Sequence, residues 1–216
     1  MIDYNIIATG SKGNAVVINK SILIDCGVPF KALREAYKDL KLVLLTHMHF
    51  DHFNKSTIKR LAQERPTLRF ATPEWLVEDL VNCGVDKRNI DVAKMGKPLI
   101  YGRFPIVEAE SLPHNVPNCA WHIMIGAERV FYATDCNSLD HITANHYDLY
   151  LVEANHTEAD ITERIRQKQE AGEHCYEWDV LQNHLSKEKT DAWLYENMGV
   201  NSKYVYLHQH EPKEAQ

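Results

Sequence analysis

The seven residues Thr46-His47-Met48-His49-Phe50-Asp51-His52 bring three imidazoles and a carboxylate together. Side chains of these types, this close, cannot all be buried in an apolar core without a cation to satisfy them, because unpaired buried polar groups and charges are costly. Imidazole nitrogen and carboxylate oxygen suit a borderline divalent metal such as zinc, which holds them at about 2.0–2.2 Å. A surface cluster of histidines is the bland alternative. The HxHxDH spacing directly after an apolar run argues against it.

That run, Leu42-Val43-Leu44-Leu45-Thr46, is short and rich in β-formers, so it reads as a buried strand. Asn54-Lys55-Ser56-Thr57 opens a helix after the cluster, which leaves His47, His49, Asp51 and His52 in a strand-to-helix loop. Elsewhere short apolar runs alternate with polar, helix-like segments. Ala15–Asn19 and Ile22–Asp25 form a hairpin around Lys20, and Pro29 starts a helix to about Lys38. Ser56–Glu64 is helical, Leu68–Ala71 is a strand, and Pro73 begins a helix through Val81 that Gly84 terminates. Pro98–Tyr101, Arg103–Ala109, Ala120–Ile125, Val130–Ala133, Leu149–Glu153 and Tyr204–Leu207 are strand-like. The stretch from Glu158 to Tyr195 is polar, charged and helical.

With 216 residues the chain has room for one substantial α/β domain, and 44% hydrophobic with 25% charged residues is ordinary for a soluble globular protein. No run approaches the roughly 20 apolar residues that span a bilayer, and Met1-Ile2-Asp3-Tyr4 lacks the start of a signal peptide. Five cysteines (Cys26, Cys83, Cys119, Cys136, Cys175) without a CxxC pair point to free thiols in a reducing compartment, so the expected location is cytoplasmic. A formal charge of −6 does not by itself favour nucleic acid. Local basic density follows the metal motif at Lys55, Lys59, Arg60, Arg65 and Arg69 and returns at Arg164, Arg166 and Lys168; solvated helix faces explain such runs as well as phosphate contacts do.

HxHxDH after a strand resembles the signature of the metallo-β-lactamase fold hydrolases. The resemblance extends to Gly10-Ser11-Lys12-Gly13-Asn14 and Leu23-Ile24-Asp25-Cys26-Gly27, whose wording is similar to the YycJ-like branch, related to tRNase Z and other phosphodiesterases. It covers nearly the whole chain and implies a four-layer αβ/βα sandwich, residues 1–216 forming one domain with a charged helical insertion at about 158–183. By the same resemblance two divalent ions, Zn²⁺ first and Mn²⁺ as the alternative, are held by His47, His49, Asp51, His52, His114, Asp135 and His208, with Asp135 as the bridge. The family often has Asp after the histidine matched by His114; here Asn115 stands there. His210 competes with His208 for the last position. A cysteine near Asp135 serves the true β-lactamases, but Cys136 should point away along an extended chain.

In the tRNase Z relatives a histidine before the last helix pairs with a glutamate and protonates the leaving group. His184, in Asn183-His184-Leu185-Ser186, and Glu153 match that pair, and Asp51 matches the group that orients or deprotonates the attacking water. The implied function is a dinuclear phosphodiesterase or nuclease acting on DNA, RNA or a small phosphodiester by a metal-activated water. Hydrolysis of a small carboxyl ester, lactone or thioester is the second reading, and a non-catalytic metal-binding protein the third. Only 20 residues separate His114 from Asp135, too few for the tRNA-clamping arm of tRNase Z or a β-CASP insertion. The Gly10–Gly13 turn is either a phosphate contact or a tight hairpin turn. Among the other histidines, His156, three residues after Glu153, stands out.

Overall fold

A computed structural model describes residues 2–103 and 105–209; Phe104, within the strand expected over Arg103–Ala109, and His210, the alternative last ligand, lie outside the described residues. One six-stranded sheet holds β1 (Tyr4–Ala8), β2 (Ala15–Ile18), β3 (Ile22–Ile24), β4 (Leu42–Leu44), β5 (Arg69–Pro73) and β6 (Ile90–Ala93), side by side in chain order. The second holds β7 (Leu99–Ile100), β8 (Ile106–Leu112), β9 (Asn118–Ile125), β10 (Glu128–Ala133), β11 (Leu149–Glu153) and β12 (Lys203–Leu207), again in order. Each sheet joins an antiparallel half to a parallel one: β3 to β6 are parallel in the first, β10 to β12 in the second.

Alternation along the strands explains the layering, since successive side chains leave a strand on opposite faces. Val16, Ile24, Leu42 and Leu44 turn inward and meet Trp121, Ile123, Tyr132 and Leu151 of the other sheet. Val17, Leu23, Val43 and Phe70 turn outward against Ile58 and Leu61 of α1 (Lys55–Glu64) and Leu80 of α2 (Val77–Asn82). On the far side Phe131, Ala133, Tyr150 and Val152 pack against Trp193 and Leu194 of α5 (Lys187–Asn197). Two sheets covered on both outer faces by helices make the four-layer sandwich that the sequence implied. α3 (Glu158–Ala171) and α4 (Glu177–Asn183) lie between β11 and α5 along the chain. Among the described residues, no helix is long and apolar enough to cross a membrane.

Some elements depart from the sequence pattern. After Pro29 only a 3-10 turn at Phe30–Leu33 forms, followed by turns, not a helix to Lys38. The Arg65 guanidinium donates to the carbonyls of Tyr37, Lys38 and Leu40, so a tertiary partner satisfies groups that a helix would have paired internally. The helical stretch after Glu158 breaks twice: Gly172 caps α3 in the left-handed conformation at φ 67°, and His184 is extended. Ser186 then caps α5 by accepting from Lys189 N. β6, a short and half-exposed edge strand, has too weak a pattern to read from sequence.

The metal-motif loop is clamped by the turns that end β1 and β3. Asn14 N donates to Asp51 O at 2.6 Å, Cys26 N to His52 O at 2.8 Å, and Asn54 N to Cys26 O at 2.9 Å. Gly27 permits this approach, because a Cβ there would lie 1.6 Å from Asp51 O and 2.7 Å from His52 N. Gly27→Ala must therefore displace backbone rather than a flexible side chain. It is expected to cost at least about 3 kcal/mol, read as a lowered urea midpoint with an unchanged m-value.

Candidate metal centre

β4, β8, β10, β11 and β12 all deliver their C-terminal ends to one edge of the sandwich, where His47, His114, Asp135, Glu153 and His208 follow or end them. Ligand sites in open α/β sheets collect at such carboxyl ends. Three strand exits turn sharply there, with Asp25, Asp135 and His208 in the left-handed region at φ 58°, 57° and 52°. Asp and His tolerate that region better than most residues, and its use at a site marks backbone bent for a purpose.

The turns gather two groups whose ligand atoms lie within 4.8 Å of one another: His47, His49, His114 and Asp135, and Asp51, His52, Asp135 and His208. Asp135 belongs to both. Its Oδ2 is 3.5 Å from His47 Nε2, 3.4 Å from His52 Nε2 and 3.9 Å from His114 Nε2, and its Oδ1 is 3.5 Å from His208 Nε2. Asp51 Oδ2 stands 3.7 Å from His52 Nε2 and 3.6 Å from His208 Nε2. His47 Nε2, His208 Nε2 and Asp135 Oδ1 are buried without a hydrogen-bond partner. His114 Nε2 and His49 Nδ1 face each other at 3.3 Å, two ring nitrogens directed at one place. Buried lone pairs converging in this way fit divalent cations with nitrogen and oxygen ligands. All seven residues expected from the sequence stand in one group or the other.

Three residues that brace the loop, Asp25, Asn14 and Tyr132, were given no role by the sequence. Asp25, fully buried, accepts from His52 Nδ1 at 2.7 Å, from Thr46 N and Oγ1 at 3.0 and 2.9 Å, and from Tyr132 OH at 3.1 Å. That bond turns the Nε2 of His52 toward Asp51 and Asp135. The Asn14 amide reaches the same Nε2 at 2.8 Å and Asp51 Oδ2 at 3.3 Å. The signal for Asp25 was a charged residue closing the apolar run Ile22-Leu23-Ile24. Burial lowers the basicity of His52, yet Asp135 and Asp25 outweigh it and hold the pKa well above the usual histidine value. Burial raises Asp51, but His208 and His52 keep its carboxyl below the ordinary range.

A third group, Asp135, Glu153, His184 and His208, adjoins the second. Glu153 is fully buried at the end of β11 and accepts from His184 Nδ1 at 2.6 Å and Cys136 N at 3.1 Å, while its Oε1 lies 3.2 Å from His208 Nδ1. The His184 and His208 rings stack with centroids 5.0 Å apart and planes 12° from parallel. Burial opposes a charge on His184, but Glu153 more than compensates and raises its pKa; burial likewise raises Glu153, and His184 brings it below the usual carboxylate value. Thr190 Oγ1 donates to Glu153 O at 2.6 Å and fastens α5 to this strand end.

Around the centre, Phe50 is 71% exposed between His49 and Asp51, and Met48 is exposed beside it. Cys136 is buried in the apolar cluster against α5. In the Gly10–Gly13 turn, Gly10 N and Gly13 N bond inward, to Asn14 Oδ1 and Gly10 O, as in a tight hairpin turn. The basic runs are largely paired: Lys55 with Asp79, Arg60 with Glu64, Arg69 with Asp91, Arg164 with Asp160, Arg166 with Glu163 and Glu170, and Lys168 with Glu177. His122 is held by Glu110 and Tyr147, and His141 bonds to Ser111 O, so neither joins the centre.

Asp25→Asn removes the charge that orients His52 while keeping its shape. Metal affinity of the group containing His52 is expected to fall about 10–100-fold. Chelator competition measures this, with circular dichroism to confirm the fold.

A family model described as the β-lactamase superfamily domain matches residues 20–174. No curated protein matches the chain. The fold is similar to that of the metallo-β-lactamase fold protein YhfI from Bacillus subtilis, at TM-score 0.74 and 17% identity, over 96% of this chain and 86% of that one. The human short-form tRNase Z gives 0.70 and 14%, over 97% and 93%. Zn²⁺-bound PqqB from Methylobacterium extorquens gives 0.69 and 12%, over 97% and 89%. Identities this low speak for the fold alone, while the family model spans the strands and loops that carry His47 through Asp135 and Glu153: the chain belongs to the β-lactamase superfamily and has the metallo-β-lactamase fold.

Proposed function

We propose that the protein is a metal-dependent phosphodiesterase that cleaves DNA, RNA or a small phosphodiester. His47, His49 and His114 hold one cation, Asp51, His52 and His208 the other, and Asp135 is shared; zinc suits this set best and manganese is the alternative. Bound cations supply a water activated near neutral pH and offset charge on the non-bridging phosphoryl oxygens. Asp51, kept ionised, accepts a hydrogen bond from the attacking water and aligns it.

The observation that carries the reading is the 2.6 Å bond between His184 Nδ1 and Glu153, beside the stacked His208. With Nδ1 engaged, His184 Nε2 is the nitrogen that can hand a proton to a departing oxygen. Glu153 keeps the ring protonated to higher pH than an isolated histidine. An alkoxide leaving from phosphorus needs that proton; the thiolate of a thioester needs it far less, while the alkoxide of a carboxyl ester or lactone would use it too. The tRNase Z among the structural neighbours supports phosphodiester chemistry further. One feature favours the second reading, hydrolysis of a small carboxyl ester, lactone or thioester: the paired basic residues offer little surface for a long polyanion.

End-labelled single- and double-stranded DNA and RNA, incubated with protein loaded with Zn²⁺ or Mn²⁺, test the proposal. Cleavage is expected, abolished in Asp135→Ala and slowed about 10²–10⁴-fold in His184→Ala. A protein that holds two metals and cuts none of these, nor a p-nitrophenyl phosphodiester, sinks it in favour of the ester reading.

The pH–rate profile tests the proton donor separately. A general acid works below its pKa, so the rate falls as pH rises through the pKa of His184. Glu153→Gln removes the charge that raises this pKa, so the alkaline limb is expected to move to lower pH. An unmoved limb would remove His184 from the proton-donor role.

A further inference from the structure

At the edge of the sandwich opposite the metal centre, three separate segments bring cations into one hollow. β3 and β4 begin there side by side, with Ile22 paired to Leu42, whereas the far end of β4 leads to His47. A cavity of about 320 Å³ opens between the β2–β3 turn, the approach to β4 and the end of α1. Lys20, Lys38, Lys41 and Arg65 line it, against one acid, Asp39. Four positive charges less one negative leave a local excess of three, in a chain whose net charge is −6.

The basic side chains considered earlier are answered by carboxylates, Lys55 by Asp79, Arg69 by Asp91 and Arg166 by Glu163. Here they are not. Among the described residues, Lys20, Lys38 and Arg65 form no ion pair, even with Asp39 in the same lining.

Arg65 is the fixed point of the wall. Its guanidinium donates from Nη1 to the carbonyls of Tyr37 and Lys38 and from Nη2 to that of Leu40. These bonds hold the planar group in place, and neutral carbonyls leave its charge unanswered. Of five N–H donors three are used, so Nε–H and one Nη2 hydrogen remain unbonded. The same bonds tie down the backbone that carries Lys38 and Asp39. In the β2–β3 turn, Asn19 Oδ1 accepts from Asp3 N at 2.9 Å, which leaves the amide donors of Asn19 and the hydroxyl of Ser21 for the cavity.

Charge and size together name the ligand. Ammonium, guanidinium and amide donors around one concavity match ionised phosphoryl oxygens, which only accept. At about 320 Å³ the hollow sits at the small end of the roughly 300–1,000 Å³ range of ligand sites, so it holds a small molecule rather than a stretch of polymer. A strand leaving it would also pass Asp3, bonded to Asn19, or Glu64, next to Arg65. We propose that this cavity binds a small phosphorylated molecule with at least two negative charges, at a site separate from the metal centre. The assignment does not depend on what is hydrolysed at that centre.

Isothermal titration of the metal-loaded, full-length protein with inorganic pyrophosphate tests the site. Pyrophosphate also ligates metals, so Asp135→Ala is titrated alongside. The expected result is binding that survives in Asp135→Ala and weakens at least about tenfold in the double variant Lys20→Gln, Lys38→Gln. Asp39→Asn is expected to tighten binding about threefold, a change of opposite sign that a damaged fold would not produce. Binding lost in Asp135→Ala and unchanged in the lysine variant would leave the metal centre as the anion site and overturn the proposal. An affinity indifferent to the lysines and to Asp39, or no binding at all, overturns it as well. Short single-stranded DNA or phosphatidylglycerol vesicles that displace pyrophosphate at far lower phosphate concentration would replace the small ligand with a polymer or a membrane contact, and so overturn it too.

Discussion

Asp135 shares its two carboxylate oxygens among four imidazoles, and this shared contact sets what the rest of the edge must do. Its oxygens lie 3.4 to 3.9 Å from the ring nitrogens of His47, His52, His114 and His208. The carboxylate is 2% exposed, and a buried charge costs several kcal/mol unless charge and hydrogen bonds answer it. Four strands from both sheets must therefore end at one level, because the imidazoles arrive from the connections after β4, β8 and β12 and the carboxylate from the one after β10. The inter-sheet packing of Leu42, Leu44, Trp121 and Tyr132 fixes that level, and the left-handed exits at Asp25, Asp135 and His208 turn the side chains onto it. Fold and centre are one constraint seen at two scales. A slip of one residue in β4 or β10 would put core side chains where ligands belong.

Glu153 has a comparable role farther from the metal ligands' shared edge. A single buried carboxylate contacts Nδ1 of His208 and Nδ1 of His184. Cys136 N and Leu185 N also point at it. A change at Glu153 therefore reaches His208, His184 and two loops together. Single substitutions there are not additive with substitutions at either histidine, and a double-mutant cycle is needed to apportion them.

How much of this the sequence carried depends on how local each signal was. HxHxDH is contiguous and its ligand types are unmistakable, so His47, His49, Asp51 and His52 could be read directly. His114, Asp135, His184 and His208 are dispersed single residues, legible only through resemblance to a family whose strand ends they match. Asp25, Asn14 and Tyr132 were in view within a motif or a strand, but their contacts with the loop are tertiary and span up to 107 residues of sequence. The β-strands were legible for the same reason as the metal loop, since alternation and buried apolar runs are local. The segment after Pro29 departs from its helical pattern because its carbonyls are satisfied by Arg65, about 25 to 28 residues away, which no propensity records.

Pairing on the surface bears on substrate selection as much as the centre does. The formal charge is −6, and Lys55, Arg69, Arg166 and Lys168 are ion-paired, so the basic runs after the metal motif and on α3 lend little positive field at a distance. On the proposed reading, attraction for a phosphate would come from bound cations at short range, where only groups already at the edge feel it. At that edge the exposed Phe50 and Met48 on the metal-motif loop are the apolar side chains open to a ligand. On the proposed phosphodiesterase reading, such an edge selects by the groups that flank one bond rather than by the length of a polymer.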